Sequence, residues 1–130
     1  MINRNELKVL IADDEPSILM SLEFLFKKEG YKVLIARDGQ EAIDLFDKEQ
    51  PSILILDIMM PKIDGYNVCS YVKTNYKFNI PKVVFLSAKN KESEIEHGYE
   101  LGADLYIPKP FSTRDITKKV NLIATDLIKN

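Results

Sequence analysis

Five short apolar runs recur along the chain, at Lys8 to Ala12, Lys32 to Ala36, Ser52 to Asp57, Lys82 to Ser87 and Leu105 to Ile107. Each is rich in β-branched and large aliphatic side chains and too short for a helix of ordinary length, so each predicts a buried strand. Between them the period changes. After Asp14-Glu15-Pro16, residues Ile18, Leu22, Leu25 and Phe26 fall at i, i+4, i+7 and i+8; Pro16 suits a first helical turn and Gly30 closes the pattern. From Ser112 the device repeats with Ile116, Val120, Ile123, Ala124 and Leu127, and Val68, Cys69 and Val72 mark another helical stretch. The segment Lys91 to Leu101 has few apolar anchors, and a glycine inside a helix, here Gly98, costs about 1 kcal/mol relative to alanine. It is expected to be the most mobile helix. Strand, helix, strand, repeated, predicts an α/β fold with a parallel sheet covered on both faces.

The polar residues at the strand ends carry the candidate chemistry. Asp13 and Asp14 end the first run, Asp57 ends the third, Ser87 ends the fourth, and Lys109 lies just beyond the fifth. In open parallel sheets ligands bind at the carboxyl ends of the strands, so all five are expected at one edge. Three carboxylates gathered there repel one another unless a cation joins them. A hard, oxygen-seeking ion such as Mg²⁺ fits, since it takes one or two carboxylates and keeps waters that a phosphate can replace. Metal, lysine and hydroxyl together would neutralise the charge that spreads over phosphoryl oxygens during transfer, which makes Asp57 the central candidate for an acceptor.

Composition narrows the alternatives. A chain of 130 residues is read as one domain, 1–130, with no convincing linker, repeat or low-complexity tract. Its 18 basic and 20 acidic residues nearly balance, which argues against broad binding to a nucleic-acid backbone. Cys69 is the single cysteine, so no internal disulfide forms and a reducing cytoplasm is the expected setting. The start Met1-Ile2-Asn3-Arg4-Asn5-Glu6 lacks the apolar core of a secretory signal, and no run approaches the ~20 residues of a membrane helix.

Four blocks in order carry a family resemblance: Ile11-Ala12-Asp13-Asp14-Glu15-Pro16, then Leu56-Asp57-Ile58-Met59-Met60-Pro61 with Asp64-Gly65, then Phe85-Leu86-Ser87-Ala88, then Gly102-Ala103-Asp104-Leu105-Tyr106-Ile107-Pro108-Lys109-Pro110-Phe111. The chain resembles the receiver domain of two-component response regulators over nearly its whole length. The resemblance implies a flavodoxin-like (βα)5 three-layer sandwich with sheet order 2-1-3-4-5. It implies Asp57 as phosphoacceptor, Asp14 as a direct Mg²⁺ ligand, Asp13 as an ion-site carboxylate acting largely through water, and Met59 as the donor of a backbone carbonyl to the metal. Ser87 matches the hydroxyl that follows the phosphoryl group, Lys109 the cation that pairs with it, and Tyr106 the aromatic that rotates inward as that hydroxyl moves. The Lys109-Pro110 bond is implied to be cis. Implied partners are a sensor histidine kinase or phosphotransfer protein as donor, and an output domain or protein read through the fourth helix, fifth strand and fifth helix.

Departures from the family pattern also inform. Serine replaces the threonine common at position 87, which leaves the hydrogen bond available but the rotamer less fixed. Leu105 stands where many DNA-binding relatives carry an acid used in a charged dimer interface. Met59 and Lys89 flank the site at positions that tune phosphoryl lifetime in the family.

Each residue also has a plainer reading. Asp57 alone reads as a strand-terminal turn residue, Lys109 as a solvated loop lysine, Ser87 as a helix cap and Tyr106 as an ordinary half-buried aromatic. Their grouping at one edge favours function. His97, the single histidine, reads as surface, and Cys69 as a small packing residue. Three functions therefore compete: a phosphorylation switch that assists its own phosphorylation and dephosphorylation without being an enzyme, a phosphorylation-independent interaction module, and a Mg²⁺-dependent phosphohydrolase. The last is weakened because Met59 stands where hydrolases with an aspartate nucleophile place a second acid.

Overall fold

A computed structural model describes residues 4–129; residues 1–3 and 130, the ends of the 1–130 domain reading and the head of the segment read as lacking a leader, lie outside the described residues. After a short 3-10 turn at Arg4–Glu6 the order is β1 Lys8–Ala12, α1 Pro16–Lys28, β2 Lys32–Ala36, α2 Gly39–Glu49, β3 Ile53–Asp57, α3 Gly65–Asn75, β4 Lys82–Ser87, α4 Glu92–Glu100, β5 Leu105–Pro108 and α5 Thr113–Lys129. The strands form one parallel sheet in the order β2-β1-β3-β4-β5. This is the flavodoxin-like topology the resemblance implied.

Alternation along each strand divides the core between the two faces. Val9, Ile11, Ile53, Ile55, Val84 and Leu86 pack with α1 and α5, whereas Leu10, Ala12, Leu54, Leu56, Val83 and Phe85 pack with residues of α2, α3 and the α4 side. Both faces of β3 are apolar because both are covered, so the run is continuous rather than alternating in character. On α1 the fully buried stripe is Leu19, Leu22 and Phe26; Ile18 and Leu25 are its half-buried flank. The expected stripe was thus rotated by a fraction of a turn, because α1 meets α5 as well as the sheet. On α5 Ile116, Val120 and Ala124 are buried, with Ile123 and Leu127 at the margin.

The boundaries shift slightly from expectation. Ser52 precedes β3, its amide donating to the carbonyl of Lys8, and β5 extends to Pro108 opposite Ser87. Helix starts follow local chemistry. Asp38 and Asp64 cap α2 and α3 by accepting from the amides of Glu41 and Asn67 at 2.8 and 2.9 Å, and Pro16 opens α1.

Candidate functional site

Because β1 lies beside β3 in parallel register, their carboxyl ends emerge side by side. Asp13, Asp14 and Asp57 each place a carboxylate oxygen within 4.8 Å of the others. Asp13 and Asp57 are almost wholly buried, at 1% and 6% exposure, while Asp14 faces solvent. From the far edge of the sheet Lys109 reaches back over β4. Its Nζ lies 2.9 Å from Asp13 Oδ2, 3.5 Å from Glu15 Oε1 and 3.6 Å from Asp57 Oδ1. The Lys109 amide donates to the Ser87 carbonyl at 2.8 Å, and the following Lys109-Pro110 peptide is cis, as implied.

Charge in this cluster is unbalanced. Burial first, and then the neighbouring Asp13 carboxylate, push Asp57 up to about 6, against the opposing pull of Lys109. Burial alone would lower Lys109, but its hydrogen bond to Asp13 and the charges of Asp13, Asp57 and Glu15 outweigh it, so its ammonium is held above the ordinary lysine range. One lysine pairs with three carboxylates, and a fourth, Asp14, stands beside them. The donors are all oxygen and the surplus charge is negative, which fits a hard divalent cation and none of the softer metals that seek sulfur or imidazole.

Ser87 ends β4 one residue beyond the partner of Asp57 and is 1% exposed. Its Oγ accepts from the Lys89 amide at 3.0 Å. The carbonyl of that same Lys89 accepts from the Tyr106 hydroxyl in a very short contact. The backbone of residue 89 therefore joins the buried serine to the tyrosine, whose ring is turned inward at 8% exposure. The ring meets Phe85 at 6.0 Å between centroids, and Phe85 meets Tyr66 at 5.5 Å. Tyr66, on α3, donates from its hydroxyl to the Glu94 carbonyl of α4 at 3.3 Å. Burial, and then its neighbours Tyr106 and Glu94, raise that hydroxyl to about 12, so it remains a donor at physiological pH.

All the sequence-selected site residues lie at this pole. Met59 sits on the loop after β3, 64% exposed, beside Asp14, Tyr66 and Lys89 in a cleft of about 450 Å³. Sequence reasoning did not find Glu15 as a partner of Lys109, nor Tyr66 as the bridge to α4. A tyrosine on the first turn of a helix beside the Asp57 loop was the available signal for the second. His97 is exposed, with its ring edge against Tyr66 at 4.6 Å. Cys69 is fully buried, and burial pushes its thiol up to about 11, which suits packing and not nucleophilic work.

A family model described as the response regulator receiver domain matches residues 9–121. The chain belongs to the response regulator receiver family. Among solved structures it is similar to the receiver domain of Francisella response regulator 1452, at 30% identity and a TM-score of 0.86 over 93% of this chain and 98% of that one. Similar, too, are the chemotaxis regulator CheY4 of Vibrio cholerae, at 26% identity and 0.84 over 90% and 98%, and the CheX-CheY-BeF3-Mg complex of Borrelia burgdorferi, at 29% and 0.81 over 90% and 88%. Receiver domains act as switches in two-component systems rather than as enzymes on an external substrate, and they work through histidine kinases and output partners. Their acidic pocket typically takes Mg²⁺, and the Asp13, Asp14 and Asp57 cluster is the corresponding pocket here. Among the described residues no helix is long and apolar enough to cross a membrane.

Proposed function

We propose that this receiver domain is switched by phosphorylation of Asp57. The observation that carries the reading is a buried carboxylate on the last residue of β3, crowded by Asp13 and faced by Lys109. In the reaction an Asp57 oxygen attacks the phosphorus of a phosphohistidine on a kinase or phosphotransfer protein; the P–N bond breaks and the imidazole leaves with its electron pair. Asp57 must be ionised to do so, which Lys109 favours and a bound Mg²⁺ would favour further. Asp14, Asp57 and the Met59 carbonyl would hold Mg²⁺, with Asp13 acting through water. When bound, that ion neutralises charge on the phosphoryl oxygens.

Lys109 then pairs with a phosphoryl oxygen through a charge-assisted hydrogen bond, and the Ser87 hydroxyl turns to another. Because Lys89 links Ser87 to Tyr106, that turn alters the acceptor on which the inward tyrosine depends. The α4–β5–α5 surface would carry the change to an output domain or partner in the cytoplasm. A hydrolase reading gains no support, since the position two beyond Asp57 is the exposed, apolar Met59.

Intact mass after incubation with acetyl phosphate tests the reading. A Mg²⁺-dependent, base-labile phosphoryl adduct is expected on the wild type and not on Asp57→Asn. An adduct that persists in Asp57→Asn, or none on the wild type, overturns it and moves the weight to phosphorylation-independent binding.

A further inference from the structure

We infer that Gly98 is a positioning residue for the switch: the hydrogen atom in place of a side chain at this site is what admits Tyr106 to its inward seat. The inference rests on Tyr106 being the moving aromatic of the proposed function, and concerns what sets its equilibrium. Gly98 is the one fully buried residue of α4 among those described. A Cβ built there would lie 3.1 Å from Tyr106 Cδ2, 3.1 Å from Phe85 Cδ2 and 3.3 Å from Phe85 Cε2. Comfortable carbon contacts begin near ~3.5 Å, so two rings would have to yield by a few tenths of an ångström.

The two rings differ in what they can do. Phe85 is 0% exposed on an interior strand and is gripped between Tyr66 and Tyr106. It has nowhere to go. Tyr106 sits on the edge strand β5, and its inward hold consists of ring contacts, the hydroxyl bond to the Lys89 carbonyl, and side-chain hydrogen bonding of that hydroxyl with Ser87 and Tyr66. Beyond β5 the sheet has no further strand to hold the ring in place. A methyl at position 98 therefore opposes the inward rotamer and leaves the outward one alone, while improving the intrinsic helix propensity of α4 in both. Helix stability and switch position are thereby driven in opposite directions by one substitution.

The test uses the chain carrying 3-fluorotyrosine, with the Tyr106 resonance assigned by its loss in Tyr106→Phe. In the wild type without added phosphoryl analogue this ¹⁹F signal should report a buried ring. In Gly98→Ala it should move toward the solvent-exposed position, the population ratio changing by about tenfold. Gly98→Ser carries the same Cβ with a poorer helix propensity and should do the same, which separates sterics from helix stability. Replacing Phe85 by leucine in the Gly98→Ala chain frees space and should return Tyr106 inward. An unmoved Tyr106 resonance in both Gly98→Ala and Gly98→Ser overturns the inference. So does a shift that Phe85→Leu leaves unchanged. Adding beryllofluoride with Mg²⁺ separates this from the switch reading: if Gly98→Ala moves the resonance but beryllofluoride moves it in neither protein, the steric gate stands and the phosphorylation link falls.

Discussion

At both ends of the sheet a lysine is drawn into contact with a carboxylate, but the proportions are reversed. At the amino end Asp104 accepts from Lys73 Nζ at 3.0 Å and from the Val83 amide at 2.8 Å, and Lys82 stands 3.8 Å away. Two cations and a backbone donor serve one acid. At the carboxyl end Lys109 is shared among Asp13, Asp57 and Glu15, with Asp14 close by. The first cluster satisfies itself and fastens α3 to the β4–β5 edge. The second is short of positive charge, and burial, with the Asp13 carboxylate adding to it, pushes Asp57 to about 6. A surplus of like charge held inside a fold is unfavourable unless something else is to arrive there, and that separates a site from a staple.

Removing Asp14 should sharpen this contrast most. The carboxyl-end cluster loses a ligand, and Mg²⁺ affinity should fall by roughly 100-fold, with phosphorylation lost at millimolar metal. Isothermal titration of Asp14→Ala with Mg²⁺ checks this, and wild-type affinity would remove the assigned ligand. The matching change at the other end is Asp104→Ala. It leaves Lys73 and the Val83 amide without their acid and should destabilise the domain by about 2 kcal/mol in urea unfolding, while the folded fraction still takes phosphate on Asp57. A loss of phosphorylation in folded Asp104→Ala would break the division between the two ends.

Dependence on pH should divide the ends again. The folded-state Asp57 lies above its ordinary value, so in the absence of metal the folded chain holds a proton that the unfolded chain releases. That protonation favours folding as pH falls from above 6 toward 4, and the handicap is fully present at pH 7.5. Discounted for the opening of the site to water, it amounts to about 1–2 kcal/mol. Asp57→Asn should therefore be the more stable protein at pH 7.5, with the gap closing near pH 4 and shrinking when Mg²⁺ is added to the wild type. Thermal melts across that range decide it. Smallest of all should be Lys119→Ala, which removes a surface pair with Asp115 at 3.0 Å on α5; a change below about 0.5 kcal/mol is expected, because both partners are well hydrated.

Much of this was readable before any coordinates. The runs ending in Asp13 and Asp57 identified both strands and their acids, because a parallel strand buried on two faces leaves a run of apolar residues with a polar terminus. Pro16 marked the start of α1 by local chemistry alone, whereas the caps made by Asp38 and Asp64 emerged only with the structure. What stayed hidden is non-local or belongs to the backbone. One link from Ser87 to Tyr106 runs through the amide and carbonyl of Lys89, groups that every residue but proline carries, so no side chain advertises that link. Gly98 read as a flaw in a weak helix. Its role depends on Phe85 and Tyr106, which meet it only once β4 and β5 lie side by side. The stripe on α1 shifted for the same reason, since the sequence of one helix does not say that it will share its flank with another.

The close seat of α3 has a mechanical meaning. A Cβ at Gly65 would come within 2.2 Å of the Asp57 carbonyl, and the Gly65 amide donates to the Ile58 carbonyl at 2.8 Å. Backbone rests directly on backbone there, with no side chain between to tilt or compress. On the opposite flank, toward α4, the contacts are made by side chains, the rings of Tyr66, Phe85 and Tyr106 meeting edge to face. Asp57 thus stands against an anvil on the α3 side, where backbone meets backbone, and against packed side chains on the other, so a displacement at Asp57 meets the stiffer wall toward α3.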